Sequence, residues 1–462
     1  MRSRVMMTGG VLAALLSSVP RPCRAETIEQ RLERLERKVE QQDRIIKDQQ
    51  RQLDERKSAA PAAAAPSTAP ASAAAPVAAA PPPPAPDTMR AYWKDGLRFE
   101  TADKNFQAHV GGRMQADWAF FTEDSGLANA VGRFEDGAEF RRARLLIEGL
   151  VYKQVEFRAE YDFAGGESTF KDVYTGLVDL PYVGGIRVGH FKEPFSLEEL
   201  GSDNFIPFME RSLPNALSPS RNMGFMAHNT VLDDRLTWAL GAFRDTDDFA
   251  VSQGDGGWGG TGRLAGQPWW ADEGRSLVHL GVAASWRDPG ENEARFRSRP
   301  EAHLAPFVVD TGTFDANGLS RIGGELAAAH GPVWIQSEYM AAATNGPGPG
   351  RDVNGYYVQA GYFLTGENRP YRQEGAVFDR VRPRRPFLYG DNRGYGAWEL
   401  AGRWSSLDLN SGAIRGGSVR DITAGVNWYL NPLTRISANY VFSDQLQLGD
   451  SQAFMMRFWF DF

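Results

Sequence analysis

Arginines interleaved with apolar residues and facing acids recur along this chain. Arg142 and Arg144 are two apart, Arg158 stands between Glu156 and Glu160, and Arg113, Arg187 and Arg403 lie in similar alternating surroundings. A guanidinium is a planar fork of donors that can hold two oxygens of one oxyanion. Set along a narrow aqueous passage with walls of low dielectric, such groups would draw in and orient small anions. Lys171 and Lys192 lie close to the proline-bearing stretch 191–224 and join the candidates. The same residues have a plainer use as structural ion pairs, because Glu148, Glu156, Glu160, Asp162 and Glu399 fall on the same expected face. A slip of one residue in strand register would turn the whole row away from the passage.

Other chemistry has little to work with. Six histidines occur (His109, His190, His228, His279, His303 and His330), without a metal-spaced pair. There is no nucleophile elbow, Walker loop or dinucleotide loop, so neither an enzyme nor a cofactor is expected. The formal charge is -7, and residues 87–462 carry 38 Lys and Arg against 49 Asp and Glu. That balance argues against nucleic acid as a partner.

The elements that would position these cations are strands. Phe454, Met456, Phe458, Phe460 and Phe462 occupy every second place at the C-terminus, with Arg457 and Asp461 between them. A period of two puts the rings on one face and the charges on the other. Earlier, Met114, Trp118 and Phe120 oppose Arg113, Gln115 and Asp117, and Leu145, Ile147 and Val151 oppose Arg142, Arg144 and Glu148. Phe157, Tyr161 and Phe163 oppose Glu156, Arg158, Glu160 and Asp162, and Ile422, Val426 and Trp428 form a further apolar face before the turn at Asn431-Pro432. Apolar-out and polar-in alternation, repeated strand after strand, predicts an all-β transmembrane antiparallel barrel over residues 90–462, whose length would allow sixteen strands at roughly 23 residues per strand and connection. Tyr161, Phe163, Trp428 and Tyr429 at strand ends are expected in its interfacial girdles. The glycine- and proline-rich stretches 252–268 and 345–354 read as loops, as does the arginine-rich 373–393, whose side of the membrane stays open. Arg380, Arg382, Arg384 and Arg385 there suit solvent or lipopolysaccharide phosphates, or an anion at a pore mouth.

Ahead of the barrel, residues 1–25 read as a signal peptide: Arg2 and Arg4, an apolar core, and a small-x-small site ending at Ala25. Cys23, the one cysteine, would leave with it. Residues 26–57 carry Ile28, Leu32, Leu35, Val39, Ile46 and Leu53 at heptad spacing, a coiled coil suited to oligomerisation. Residues 58–89 are an Ala/Pro-rich spacer that cannot build a core.

Several stretches resemble the phosphate- and polyphosphate-selective porins of Gram-negative outer membranes. The most specific is Arg187-Val188-Gly189-His190-Phe191-Lys192-Glu193-Pro194-Phe195-Ser196-Leu197-Glu198, followed by Met209-Glu210-Arg211-Ser212. Gly111-Gly112-Arg113, Glu139-Phe140-Arg141-Arg142-Ala143-Arg144 and Asn427-Trp428-Tyr429-Leu430-Asn431-Pro432 also match. The resemblance implies a trimeric sixteen-stranded porin with one loop folded into its channel, passing phosphate, pyrophosphate or related anions. Phe191, Glu193, Pro194, Phe195, Glu198, Glu210 and Arg211 would belong to that loop. Its surroundings would be outer-membrane lipid and lipopolysaccharide, with a periplasmic coiled coil able to reach the cell wall. A general, sugar- or carboxylate-permeable porin and a barrel-anchored periplasmic tether are the rival readings.

Overall fold

The computed structural model describes residues 88–346, 351–387, 393–412 and 414–462, together with Lys47, which is helical and exposed. Apart from Lys47, the signal peptide and coiled coil expected over residues 1–57 lie outside the described residues, and so does the spacer up to residue 87.

Sixteen antiparallel strands form one closed sheet. The first is Phe106–Glu123 and the last Gly449–Asp461, and these two pair from Ser451↔Glu123 down to Asp461↔Arg113. That seam removes both edges, which a sheet in hydrocarbon cannot leave open. Before it, a short hairpin (Met89–Trp93 with Leu97–Thr101) pairs with residues 107–110 and prolongs the sheet beneath the C-terminus. Phe462 exchanges backbone hydrogen bonds with Gly112 at 2.9 and 3.0 Å, and its ring stacks on Trp93.

Alternation works as the period-two argument requires. Phe454 and Phe458 are 44% and 43% exposed on the outer face, while Arg457 between them is 1% exposed and faces inward. Met114, Trp118, Leu145, Ile147, Ile422 and Val426 likewise point out of the ring. Two rims result. One is made of short turns, at 152–154, 181–183, 232–235, 272–275, 331–332 and 432–433; the other carries the long loops.

The apolar core lies inside the ring. Segments 193–220 and 288–317 both fold into the lumen, where Phe195, Met209, Leu213 and Leu217 pack with Phe296, Val308 and Val309 against Leu407 and Val419 of the wall. A second cluster, with Leu197, Trp334, Phe363, Tyr371 and Phe378, fills the half nearer the short turns.

Three expectations need correction. The stretch 252–268 is mostly strand, Trp258–Ala271, because its glycines allow close approach of the neighbouring strand: a Cβ on Gly259 would lie 2.4 Å from the Trp286 carbonyl oxygen. Strands likewise take half of 345–354, where Val333–Asn345 ends and Arg351–Phe363 begins. Tyr429 is not in a girdle: it is buried and donates its hydroxyl to Glu399 at 2.8 Å. The arginine-rich segment, whose side the sequence leaves open, lies between the paired strands Arg351–Phe363 and Ala397–Ser411, at the same rim as the short turns, and its described residues up to 387 fold inward.

Candidate functional site

The inward loop begins where the strand Gly184–Lys192 stops. Pro194 cannot donate to a ladder, and Ser196, at φ +69°, turns the chain into the lumen. The one-turn helix Leu197–Leu200 follows, capped by Ser196 Oγ, which accepts from the Glu199 amide at 3.1 Å. The amides of Leu197 and Glu198 donate to the Glu338 carboxylate on the opposite wall at 2.9 and 2.8 Å.

The motif residues hold this loop in place. Phe191 packs against Tyr174 and Phe243, and Phe195 is fully buried beside Gly323, where a Cβ would meet its ring at 3.1 Å. Glu193 accepts from Asn222 Nδ2 at 2.8 Å and contacts Arg287 and Thr261. Glu198 accepts from the amide and hydroxyl of Ser212 at 3.0 and 2.7 Å, closing the loop on itself. Arg211 donates to the carbonyls of Glu198, Glu199 and Gly201 at 3.1–3.2 Å, and Lys192 Nζ donates to those of Glu199 and Gly201. Lys192 thus caps a helix end while also lying in the lining of the cavity described below. Glu210 receives Arg141 at 2.9 and 3.0 Å and Arg457 at 2.8 Å.

The loop tip, residues 202–204, meets a cluster of guanidiniums. Arg113 comes from Phe106–Glu123, and Arg142 and Arg144 from Gly137–Val151. All three converge on Asp203: Arg142 Nε lies 2.6 Å and Arg144 Nη1 3.2 Å from Oδ2, and Arg113 contacts Oδ1. Arg113 also reaches Glu160 at 3.1 Å, and Arg144 reaches Asp162 at 2.6 Å. Arg158 pairs with Glu148 and Glu160 at 2.6 and 2.8 Å. Arg187 pairs with Glu156 at 3.0 Å and lies over the Tyr174 ring. Arg403 sits apart, between Glu301 at 2.5 Å and Glu198 at 3.4 Å; Glu399 instead takes Trp334, Asn427 and Tyr429. Lys171 has Asp248 at 3.9 Å. The structure therefore gathers Arg113, Arg142, Arg144 and Arg158 along one wall and engages each in ion pairs.

Parity alone misses Arg141. Gln115 pairs with Arg142 but Ala116 with Phe140, so Arg141 is the extra residue of a bulge and points inward beside its neighbour. Asp203 also escapes, since nothing periodic marks a loop tip. The tandem Arg141-Arg142 before an alternating run was the available signal.

Opposite the loop, segment 364–396 closes on the lumen from the short-turn rim. Arg263 donates to the Gly375 and Ala376 carbonyls at 3.0 Å, and the Tyr371 hydroxyl meets His279 at 2.7 Å and Gln267 at 3.0 Å. Arg380 donates to the Pro432 carbonyl at 2.6 Å and pairs with Asp461, and Arg382 pairs with Asp95 of the hairpin. Between this segment and the loop lies a cavity of about 810 Å³, whose lining includes Arg158, Arg187, Arg221 and Arg380 as well as Glu148, Asp172 and Asp461.

Burial pushes the Asp203 carboxyl up, but Arg144, Arg113 and Arg142 outweigh it and hold it well below the usual carboxylate range. Glu210 behaves alike beside Arg141 and Arg457. A depressed folded pKa gives stability that is present above the unfolded value and lost as pH falls towards the folded one. The docked tip should therefore survive from neutral pH to about pH 4 and loosen only in stronger acid. A Ser202→Cys variant should stay protected from a bulky thiol reagent over that range; reactivity rising between about pH 7 and 5 would contradict it.

A closed ring of sixteen antiparallel strands, apolar outside and polar within, constricted by a loop folded into its lumen, defines an outer-membrane porin. A family model described as "Phosphate-selective porin O and P" matches residues 109–462, and the chain belongs to that family. It is 29% identical to Porin O of Pseudomonas aeruginosa over 388 residues, covering 75% of this chain and 85% of that protein. An uncharacterised protein of Caulobacter vibrioides is 31% identical over 364 residues, covering 75% of this chain and 70% of its own length. Among solved structures, an anion-selective porin from Comamonas acidovorans shares the fold with a TM-score of 0.50 at 14% identity, over 77% of this chain and 100% of that one. A loop-deletion mutant of Vibrio cholerae OmpT gives 0.50 at 12% identity, over 78% and 100%.

Proposed function

We propose that this porin passes small anions, phosphate or polyphosphate in the first place, by passive diffusion. The observation that carries the reading is the convergence of Arg113, Arg142 and Arg144 on a single carboxylate at the constriction, with Arg158 alongside. Three forks aimed at one acidic group are the chemistry that recognises a compact oxyanion. Membership of a family described as phosphate-selective points the same way. Low-dielectric walls focus the field of these groups into the passage, so an anion entering trades water for guanidinium contacts and leaves by exchange with the next.

Short turns mark the periplasmic rim of such barrels, which puts segment 364–396 and the hairpin on that side. The remaining parts of the proposal are a cleaved signal peptide over 1–25, a periplasmic coiled coil over 26–57 and a homotrimer. In support of the trimer, the wall between Val155 and Arg244 is low, with strands of 8 to 12 residues against 18 in Phe106–Glu123. A neighbouring copy along it would cover that dip.

Reversal potentials in planar bilayers under a potassium chloride gradient test the central claim. Anion preference is expected, with chloride current blocked by added phosphate or pyrophosphate. A cation preference would defeat it, and current indifferent to phosphate in an anion-selective pore would favour a general porin.

A further inference from the structure

Asp203 is held as a bound anion would be held. Arg113 donates to one of its carboxylate oxygens and the guanidiniums of Arg142 and Arg144 form ion pairs with the other, and all four groups are at least nine-tenths buried. It belongs to the loop, whose tip the wall aligns: on the next residue, Asn204 accepts from Gln115 Nε2 at 3.2 Å and donates to Asp461 at 3.2 Å. Gln115 in turn accepts from Arg142 Nη1 at 2.7 Å, so the same wall residue aligns both tip and fork. Glu160 and Asp162 belong to the strand Val155–Asp162 and stay on the arginines whatever the loop does. Asp203 is the member of the set that the chain brings in from outside the wall. With its charge present, three guanidiniums face three carboxylates (Asp203, Glu160 and Asp162); without it, one positive charge is left over where the loop tip meets the wall.

We infer that Asp203 is a built-in counter-anion that fills the arginine seat and thereby sets how strongly the constriction holds a solute oxyanion such as orthophosphate. This rests on the anion-channel reading above. A solute must compete with a tethered carboxylate of lower charge, so residence at the seat is short and throughput is kept at the expense of affinity. The carboxylate is also the means by which the loop tip is docked, so one residue serves both selectivity and loop position.

The test compares wild type, Asp203→Asn and Asp203→Glu in planar bilayers, with a potassium chloride gradient and then orthophosphate as blocker. Asparagine keeps the shape and removes the charge. It should raise the anion-to-cation permeability ratio by about threefold or more, and lower the half-blocking phosphate concentration by about tenfold. Asp203→Glu should stay near wild type. An unchanged ratio and unchanged block in a folded Asp203→Asn protein, shown by strand circular dichroism and heat-shifted gel mobility, would overturn the inference. If asparagine prevents folding, Asp203→Ser takes its place with the same expectation; failure of both to fold would assign Asp203 to stability alone and also overturn it. The sign of the wild-type potential tests the anion-channel reading, whereas the difference between wild type and variant tests this one, whatever that sign.

Discussion

Replacing Arg457 with alanine is expected to cost the folded barrel about 3–5 kcal/mol, because it strands a buried carboxylate. Arg457 lies on the last strand with its side chain fully enclosed. It grips Asp117 of the first strand through two bonds, at 2.5 and 2.6 Å, and reaches Glu210 at 2.8 Å and the Met209 carbonyl at 2.5 Å. One guanidinium therefore ties the seam of the ring to the middle of the inward loop. Glu210 keeps Arg141 in the variant, but among the described contacts Asp117 has no second cation. Urea unfolding in detergent micelles, followed by tryptophan fluorescence, reads the loss, and single-channel records should become noisier as the loop loosens. A cost below about 1 kcal/mol would show that water replaces the arginine and that the pair contributes no more than a surface one.

Excising residues 366–395 and joining the ends by a short glycine-serine turn is expected to raise single-channel conductance by roughly twofold or more while leaving the barrel folded. The strands on either side pair without help from this segment, from Asn354↔Asp408 to Phe363↔Glu399, so a tight connection can replace it. What is lost is a set of lumenal ties, Arg263 to Ala376 and Tyr371 to His279 among them. Bilayer conductance of the variant checks this. An unchanged value would place the resistance wholly at the loop 193–220 and make the excised segment a bystander.

What was legible beforehand follows from what a two-residue period can encode. The rows Phe454-Phe458 and Arg113-Asp117 fell on the expected faces because a strand commits every second side chain to one side. The same rule fails wherever the backbone adds a residue, and the bulge at Arg141 hid a guanidinium that the loop depends on. Composition misled at Trp258–Ala271, where glycines make room for strand contact instead of marking a loop. It misled again at Tyr429, an aromatic that looks outward by type but satisfies its hydroxyl inside. Strand pairing revealed that segment 364–396 belongs to the rim of short turns, information no local pattern contains. Asp203 is invisible in the same way: a carboxylate on an irregular tip acquires meaning only when two distant strands present arginines to it.

The seam has a consequence for biogenesis. Asp117 and Arg457 are 340 residues apart in the chain, and every backbone pairing between first and last strand spans a similar separation. Neither edge can find its partner until residues at both ends of the barrel are present together, and loop-closure entropy makes such a union slow. A chain lacking residues 451–461 would have no partner for the first strand and would present an open, aggregation-prone sheet edge.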